Sequence, residues 1–599
     1  MSISSKFKLA PIIIALLSLS TMSGATGSEK FRVRSIEFSG NRLYSSRQLQ
    51  RMMLTRPSNL LAKRYFDPNL FEDDLDHLIK FYINDGFLDA RIDDRSLTFD
   101  SLRQQVSIHI TIHEGEQTTI AGISFFGNQI AADSVLHGQI KSVVGQPFRK
   151  STLEDDTYRL LSFYADRGYI EAQVSPALKV NSEQHTILID FNIDEGPQIR
   201  IGELVIDGLK KTRRRVLLRE LDFQSGDIYH HSRILASQHN LYLTGLFTSV
   251  FIRPDDRSTT EAIVRNIRIE AEEKKNGELN FGFGYGTLDR WRGSIELLQN
   301  NVAGTARQIG LSAFVSTIAR RLELSFSDPW LFNTRTKADI NEFFERREEP
   351  GYSLRHYGTK FTLGRRLGML SKLNLSYRYE IVHLSGEAIP DTLRSTRRGN
   401  TRSLTLSLVR DSRNDLVNTT RGAFSSLDVE SAGAFLKGTA TFVKISARHK
   451  YFYTLGERLV LASALTAGWM DKFGSSTDIP IQERFFTGGA SSVRGFKEKF
   501  VGPLDQRRNP VGGNMLLVLN LMEVRYMFYK KFSAIAFLDV GNVWSGLHQV
   551  EKLDFRKGMG FGLRFNSPLG ILRLDYGLKL DRRSGETPGE IYFSVGQAF

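Results

Sequence analysis

Ile36-Glu37-Phe38-Ser39-Gly40-Asn41 and Ile123-Ser124-Phe125-Phe126-Gly127-Asn128 are two copies of one short pattern, an apolar strand that ends in a glycine turn. A third, looser copy runs from Leu204 to Gly208. The repeats recur with a period of roughly 80 residues, and a fixed period of that kind indicates a tandem array of one folded unit. Arrays of this type usually present binding surfaces, so the first half of the chain is predicted to bind partners.

The segments that follow the first two glycine turns have the spacing of an amphipathic helix, with the stripe at i, i+4, i+7, i+8 and i+11. The third copy keeps part of this stripe and has Gln238 and His239 in it. A glycine stands where each helix is predicted to end, at Gly86, Gly168 and Gly245. The predicted buried stripes are Phe71, Leu75, Leu78, Ile79 and Tyr82 in the first copy, Leu153, Thr157, Leu160, Leu161 and Tyr164 in the second, and Leu235, Leu241 and Tyr242 in the third.

The strands that close the first two copies alternate apolar and polar residues up to Glu114 and Glu195, which predicts a sheet with one buried face. A sheet covered by helices on one face leaves exposed edges, which can pair with an incoming extended chain. The acidic pairs Asp73-Asp74 and Glu272-Glu273 are interpreted as solvated faces or linker, not as paired catalytic carboxylates.

The pattern of apolar and polar residues changes after residue 274. Leu279, Phe281, Phe283 and Tyr285 alternate with polar or small residues, and the same alternation returns from Met559 onward. An apolar face opposite a polar one is typical of transmembrane barrels and also of soluble β-sandwiches. About 325 residues remain here, and at roughly 20 residues per strand and connection they predict a barrel of about 16 strands.

Composition restricts the functions that the chain can have. It has 599 residues, no cysteine and a formal charge of +14. The absence of cysteine excludes thiolate chemistry and cysteine-based metal sites. The basic residues are scattered through strand-like segments, which favours a polar lumen and anionic lipid over nucleic acid. No hydrolase elbow or phosphate-binding loop is found, so we expect no enzyme, metal or cofactor.

The amino terminus has the features of an export signal. Lys6 and Lys8 precede an apolar run from Leu9 to Leu19, and small residues follow at positions 23–25. Residues 1–25 are therefore predicted to be a signal peptide.

The three copies resemble POTRA domains, the polypeptide-transport-associated modules of the BamA/TamA outer-membrane insertase superfamily. The resemblance implies tandem α+β units of order βααββ followed by a transmembrane antiparallel β-barrel. The implied boundaries are 30–116, 117–197 and 198–273 for the modules and 274–599 for the barrel. Three modules make the chain more similar to the TamA branch, since BamA proteins usually carry five.

A glycine-rich segment that ends in Val493-Arg494-Gly495-Phe496 resembles the loop that defines this superfamily. In the family this loop folds back into the barrel, and its arginine pairs with acids on inner strand faces. The resemblance implies that Glu523 and Asp539 are those acids. We name the predicted set the loop lock; it comprises Arg494, Gly495, Phe496, Glu523 and Asp539.

Two further groups of residues are predicted to act at the ends of the barrel sheet. Glycines in the first strand either form a soft seam with the last strand or make room in the lumen. The carboxyl-terminal strand resembles the β-signal with which outer-membrane barrels end. The seam glycines are Gly282, Gly284 and Gly286, and the β-signal residues are Phe593, Val595, Gly596 and Phe599.

The resemblance implies an outer-membrane protein with its POTRA arm in the periplasm. It would insert β-barrel or autotransporter-type clients without nucleotide hydrolysis. The implied partners are unfolded outer-membrane proteins, outer-membrane lipids and a TamB-like protein anchored in the inner membrane. A general BamA-type assembly subunit and a two-partner secretion pore remain as alternatives, as does a passive channel.

Overall fold

The computed structural model describes residues 31–59, 62–255, 263–386, 398–474, 476–529, 531–552, 554–567 and 570–595. The predicted signal peptide and the β-signal residues Gly596 and Phe599 lie outside the described residues. Among the described residues, no helix combines the length and the apolar character that crossing a membrane requires.

Each of the three repeats has the element order βααββ and forms a three-stranded sheet in which the last strand lies in the middle. In the first two repeats the opening strand runs parallel to the central one and the other edge strand runs antiparallel to it. The first repeat comprises β1 (Arg32–Ser39), α1 (Ser46–Met52), α2 (Pro68–Asn84), β2 (Arg91–Asp100) and β3 (Gln105–His113). The second comprises β4 (Thr119–Phe126), α3 (Asp133–His137), α4 (Lys150–Ala165), β5 (Gln173–Asn181) and β6 (Thr186–Asp194). The third comprises β7 (Arg200–Asp207), α5 (Arg214–Leu218), α6 (His231–Leu243), β8 (Phe247–Pro254) and β9 (Val264–Glu273).

The long helix of each repeat packs its predicted stripe on the sheet, with one error of register in the third. Tyr82 and Tyr164 are fully buried four residues before their glycines. In α6 the prediction of Leu235 and Tyr242 is wrong, because both are exposed, Tyr242 at 62%. The buried stripe is Ile234, Ser237 and Leu241. Leu241, not the neighbouring aromatic, stands four residues before Gly245 and therefore occupies the position of Tyr82.

The interpretation of Asp74 as part of a solvated face is also wrong. Asp74 is buried, and its two carboxylate oxygens accept the backbone N–H groups of Leu54 and Thr55 at 2.7 Å. Asp156 does the same in the second repeat, for Lys141 and Ser142. A buried carboxylate that accepts two backbone N–H groups ties the segment that follows the short helix to the long helix. Its role is structural.

The glutamates that close the repeats share a second structural role. Glu114 accepts the N–H of Leu43 and the hydroxyl of Tyr82, and Glu273 accepts the N–H groups of Lys211 and Thr212. Glu273 is thus not the free linker residue that its sequence context suggested. Burial and the bond to Glu114 both raise the pKa of Tyr82, so its hydroxyl remains a donor at physiological pH.

The second half of the chain forms a closed antiparallel barrel of 16 strands among the described residues, so the prediction of the fold class is confirmed. Closure removes the exposed sheet edges, which lipid does not tolerate. The first eight strands are β10 (Gly277–Gly286), β11 (Arg290–Val302), β12 (Arg307–Ser316), β13 (Ala319–Asp328), β14 (Thr336–Glu349), β15 (Tyr352–Leu367), β16 (Ser371–Ser385) and β17 (Arg398–Asp411). The last eight are β18 (Gly422–Ala432), β19 (Phe442–Leu455), β20 (Leu459–Lys472), β21 (Met515–Tyr529), β22 (Phe532–Trp544), β23 (Arg556–Ser567), β24 (Gly570–Lys579) and β25 (Gly589–Val595).

The barrel strands place apolar side chains outside and small or polar ones inside. Phe281 and Phe283 of β10 are 73% and 74% exposed on the outer face, whereas Gly284 and Gly286 are buried on the inner one. The same alternation lets large polar groups face the lumen, where they can bind a loop that enters it.

Candidate functional site in the barrel lumen

The connection between β20 and β21 enters the barrel and is largely buried there. Val493, Arg494 and Phe496 are 0%, 4% and 2% exposed. The side chains of Val493 and Phe496 pack with Val501 of the same connection and with Val518 of β21. The segment that contributes Arg494, Gly495 and Phe496 to the predicted loop lock is therefore a buried part of the barrel interior.

Arg494 is clamped by carboxylates on two neighbouring strands. Its Nε donates to Asp539 Oδ2 at 2.6 Å and its second terminal nitrogen donates to Asp539 Oδ1 at 2.9 Å, which is a bidentate pair. The other terminal nitrogen donates to Glu523 Oε2 at 2.6 Å. The backbone N–H of Arg494 adds a bond to Asp539 Oδ2 at 3.2 Å. Only the guanidinium fork of arginine can make such a planar, two-sided contact.

The geometry of the two strands explains why both acids reach one arginine. Asn520 of β21 lies directly opposite Asp539 of β22, and Glu523 lies opposite Phe537. Because residues two apart share a face of a strand, Asp539 and Phe537 point into the same lumen. The Arg494 guanidinium lies 3.5 Å from the centre of the Phe537 ring, so the ring supplies a cation–π contact below the ion pair.

The remaining charge of the acid pair is also matched. Arg525 Nε donates to Glu523 Oε1 at 2.7 Å, and the Asn520 side-chain amide donates to Asp539 Oδ1 at 2.7 Å. Two arginines therefore face two carboxylates, so neither acid of this buried cluster is left as an uncompensated charge. Removing one member of such a buried pair typically costs about 3–5 kcal/mol.

Gly495 is required by both its conformation and its surroundings. Its φ is +105°, a region that favours glycine, and an added Cβ would lie 3.0 Å from the Leu578 carbonyl oxygen. The same wall is close to the preceding residue, since an added Cβ on Gly558 would lie 1.8 Å from the Arg494 carbonyl oxygen. A Cβ on Gly577 would lie 2.4 Å from the Gly495 nitrogen. Glycines of β23 and β24 thus make the groove in which the loop lies.

Tyr592 joins the loop lock to the last barrel strand. Its hydroxyl donates to the Phe496 carbonyl at 2.6 Å and accepts the N–H of Gly495 at 2.9 Å. Tyr592 is 6% exposed and belongs to β25. Tyr592 was not among the predicted site residues, although its inward position follows from the alternation with Ile591 and Phe593.

A second anchor holds the same connection on another part of the wall. Glu483 accepts from the Arg378 guanidinium of β16 at 3.0 Å, and that guanidinium also donates to Glu430 of β18 at 2.7 Å. Farther along the connection, Lys499 Nζ donates to Glu349 of β14 at 2.6 Å. No local pattern marks these partners, because Arg378 and Glu483 lie 105 positions apart in the sequence. The loop thus bridges strands on both sides of the lumen.

The predicted seam lies where β10 meets β25. β10 pairs β11 along its whole length, whereas among the described residues it pairs β25 at Tyr285–Val595 and Gly286–Ser594. Thr287 extends the junction, since its N–H and its hydroxyl both donate to the Phe593 carbonyl. Among the described residues the barrel is therefore closed here over a shorter ladder than that between β10 and β11.

The predicted glycines and β-signal residues take different places at this seam. An added Cβ on Gly284 would lie 2.6 Å from the Val595 carbonyl oxygen, so this glycine permits close approach of the last strand. Gly286 is buried in the ladder itself, and Gly282 lies opposite Ser294 of β11. The Phe593 ring lies 6.1 Å from that of Tyr285 across the seam.

A tandem array of βααββ modules followed by a closed 16-strand barrel with an arginine-clamped loop in its lumen defines a class of outer-membrane protein. A model of the Omp85 superfamily domain matches residues 301–599. A POTRA model, described as a surface antigen variable number repeat, matches residues 31–115, 118–196 and 199–273. The chain belongs to the BamA/TamA superfamily of outer-membrane proteins. It lies in the outer membrane, and its POTRA repeats lie in the periplasm.

Curated relatives and a solved structure agree with this assignment. The chain is 24% identical over 544 residues to the outer membrane protein assembly factor BamA of Nitratidesulfovibrio vulgaris (strain Hildenborough), an alignment that covers 88% of this chain and 68% of the relative. It is 23% identical over 589 residues to BamA of Neorickettsia risticii, covering 95% and 78%. The crystal structure of BamA from Haemophilus ducreyi lacking POTRA domains 1–3 has the same fold, with a TM-score of 0.66 and 21% identity over 81% of this chain and 99% of that one.

Proposed function

We propose that this protein is an assembly factor that inserts β-barrel proteins into the outer membrane. The observation that carries the proposal is the seam, where β10 and β25 meet in the described residues at Tyr285–Val595 and Gly286–Ser594. A barrel whose first and last strands separate offers two strand edges at membrane depth. The relatives named BamA are outer membrane protein assembly factors, which supports the same activity here.

The driving force needs no nucleotide. An unpaired backbone group in lipid costs several kcal/mol, so a client strand gains free energy when it pairs with an open edge. Further client strands pair with the first until the client closes its own barrel and leaves. In this mechanism the edge of β10 or β25 acts as a template, and the client's own closure supplies the free energy.

The repeats support capture of extended client chains by edge pairing. One edge of each sheet is covered by its own chain. The backbone bonds that do so join Ser58 and Arg64 to Val33 of β1, Gly145 and Gln146 to Ile120 of β4, and Gly226 and Asp227 to Ile201 of β7. The opposite edges are β2, β5 and β8. Pro176 interrupts β5 and Pro254 ends β8, and proline cannot donate to a ladder. β2 of the first repeat is therefore the best candidate for client binding.

The range of clients is the finer part of this proposal. The three-module arm supports a narrow, TamA-like range that includes autotransporter-type clients, with a TamB-like partner in the periplasm. The BamA relatives support a general assembly role. Depletion of the protein followed by a proteomic census of the outer membrane separates the two, because loss of a few clients indicates the narrow role and loss of many indicates the general one. An unchanged outer-membrane proteome would contradict both.

A further inference from the structure

A run of basic side chains lies at the start of the short helix in the third repeat. Lys210, Lys211, Arg213, Arg214 and Arg215 are all exposed. Residues 209–216 contain no acidic residue. We call residues 210–215 the basic segment. Such a run is often only a solvated face, so its position on the molecule decides whether it has a partner.

The basic segment is bonded to the turn between β11 and β12. The backbone N–H of Arg213 donates to the Gly304 carbonyl at 2.9 Å, and Arg213 Nε donates to the Ala303 carbonyl at 3.1 Å. The Asn301 amide donates to the Thr212 hydroxyl at 2.8 Å. An added Cβ on Gly304 would lie 2.1 Å from the Lys211 carbonyl oxygen, so the two backbones touch. The segment is thus held on the barrel rim.

That rim lies at the periplasmic surface of the membrane. β10 directly follows the periplasmic third repeat, and successive strands are antiparallel, so the turn between β11 and β12 returns to the periplasmic side. Other turns on this side carry exposed apolar side chains, including Phe332 at 89% and Met369 at 95%. Apolar tips beside basic residues are typical of segments that lie at the level of lipid headgroups.

The acid that contacts the basic segment, Glu273, does not neutralise its side chains. Glu273 uses its oxygens for the backbone N–H groups of Lys211 and Thr212. Burial opposes ionisation of Glu273, but these bonds hold its pKa below the usual range, so the acid is charged and already bonded. The side chain of Arg213 bonds a rim carbonyl and that of Arg214 bonds the Leu204 carbonyl. These contacts orient the two side chains, and both are made to carbonyl oxygens and not to carboxylates.

We propose that the basic segment binds the anionic headgroups of phospholipids in the periplasmic leaflet of the outer membrane. A basic residue near an anionic membrane surface favours association about fivefold. Because β11 neighbours β10, the bound lipids are held beside the strand that forms the seam. This binding goes beyond the proposed function, since it concerns a lipid surface and no client.

The test measures lipid selectivity of the full chain in a bilayer. The protein is reconstituted in phosphatidylcholine vesicles that contain a trace of spin-labelled phosphatidylglycerol or spin-labelled phosphatidylcholine, and the motionally restricted fraction of each probe is recorded. We expect the ratio of the restricted fraction of phosphatidylglycerol to that of phosphatidylcholine to exceed one. This ratio is expected to fall toward one in about 1 M NaCl, where screening acts over about 3 Å. The variant Lys210→Gln/Lys211→Gln/Arg215→Gln is expected to lose most of the excess.

A matched variant with the same loss of charge controls for net charge alone. Arg42→Gln/Arg47→Gln/Lys80→Gln removes three exposed basic side chains from the first repeat and is expected to keep the wild-type ratio. An equal ratio for the two probes in the wild type would overturn the proposal. So would an unchanged ratio in the first variant, which would leave an acidic protein as the partner. Neither result bears on client assembly, which the depletion experiment measures separately.

Discussion

Arg494 is held in the lumen by four hydrogen bonds to two carboxylates, whereas β10 and β25 meet in the described residues over two neighbouring ladder positions. The first region is a charged cluster in which each group has a partner. The second is a backbone junction that runs beside small residues. We therefore expect the loop and the wall behind it to form the rigid part of the barrel, and we propose that the seam is the part that opens.

The largest expected effect comes from closing the seam covalently. The chain has no cysteine, so Tyr285→Cys/Val595→Cys introduces a single pair at directly opposite positions. Opposed residues of antiparallel strands lie about 4.5–5.5 Å apart at Cα, within the range of a disulfide. Oxidation is expected to abolish client insertion in a reconstituted assay, and reduction to restore it.

The control for this experiment places the same bond where no opening is expected. Leu311→Cys/Leu324→Cys joins β12 to β13 at opposed positions whose side chains are similarly exposed. Oxidation of this pair is expected to leave insertion unchanged. Full activity of the oxidised seam pair would show that the barrel works without opening between β10 and β25.

Removal of the arginine at the centre of the loop lock is expected to have the next largest effect. Arg494→Ala leaves Asp539 buried without its main partner, at a typical cost of about 3–5 kcal/mol. Arg494→Lys keeps the charge without the fork and is expected to lie between Ala and wild type. The readouts are the temperature of barrel unfolding on gels and the rate of proteolysis within the loop.

An exposed arginine provides the comparison. Arg346 pairs with Glu348 at the surface of β14, where an ion pair contributes about 0–1 kcal/mol, so Arg346→Ala is expected to change little. A barrel in which Arg494→Ala unfolds at the same temperature as Arg346→Ala would contradict the loop lock as a source of stability.

A smaller effect is expected from filling the groove behind the loop. In Gly558→Ala the new methyl group meets the Arg494 carbonyl, a contact too short to keep without moving the loop. Overpacking of this kind typically costs about 1–3 kcal/mol. Gly293→Ala on β11 is the matched change, because its nearest neighbour is 3.9 Å away. Equal unfolding temperatures for the two variants would mean that the loop moves away from the new methyl group without loss of stability.

The sequence was informative where the signal is local. Alternation and helical spacing predicted the repeats and the barrel, since both depend on which side chains share a face. The predicted register of α6 was wrong because Tyr242 was aligned with the buried tyrosines of the other two repeats. Those tyrosines stand four residues before a glycine, and in the third repeat the residue four positions before Gly245 is Leu241. Glu523 and Asp539 came from resemblance to a family, and the structure places both against Arg494.

Local sequence patterns did not identify the residues that contact one another across the barrel lumen. Tyr592 and Phe496 lie 96 positions apart and become neighbours only when the barrel closes. Arg378 and Glu483 meet for the same reason. The sequence does not distinguish Gly558 and Gly577 from other small residues that face the lumen, because their contacts are with the folded loop. Side chains that meet through closure of a sheet depend on strand order and register, which local patterns do not contain.

The smallest expected effect falls on the residue where the two regions meet. Tyr592→Phe removes a hydroxyl that bonds both Gly495 and Phe496, at a cost of about 1 kcal/mol, and leaves the ring in place. Because this hydroxyl ties β25 to the clamped loop, its loss is expected to free the seam strand and to slow disulfide formation in the Tyr285→Cys/Val595→Cys pair. Tyr576→Phe is the matched change, because Tyr576 lies on the neighbouring strand β24 and its ring packs near Phe561. It is expected to leave the rate of disulfide formation unchanged. Equal rates in the two variants would mean that the loop lock and the seam are stabilised independently, and that the contact through Tyr592 serves packing alone.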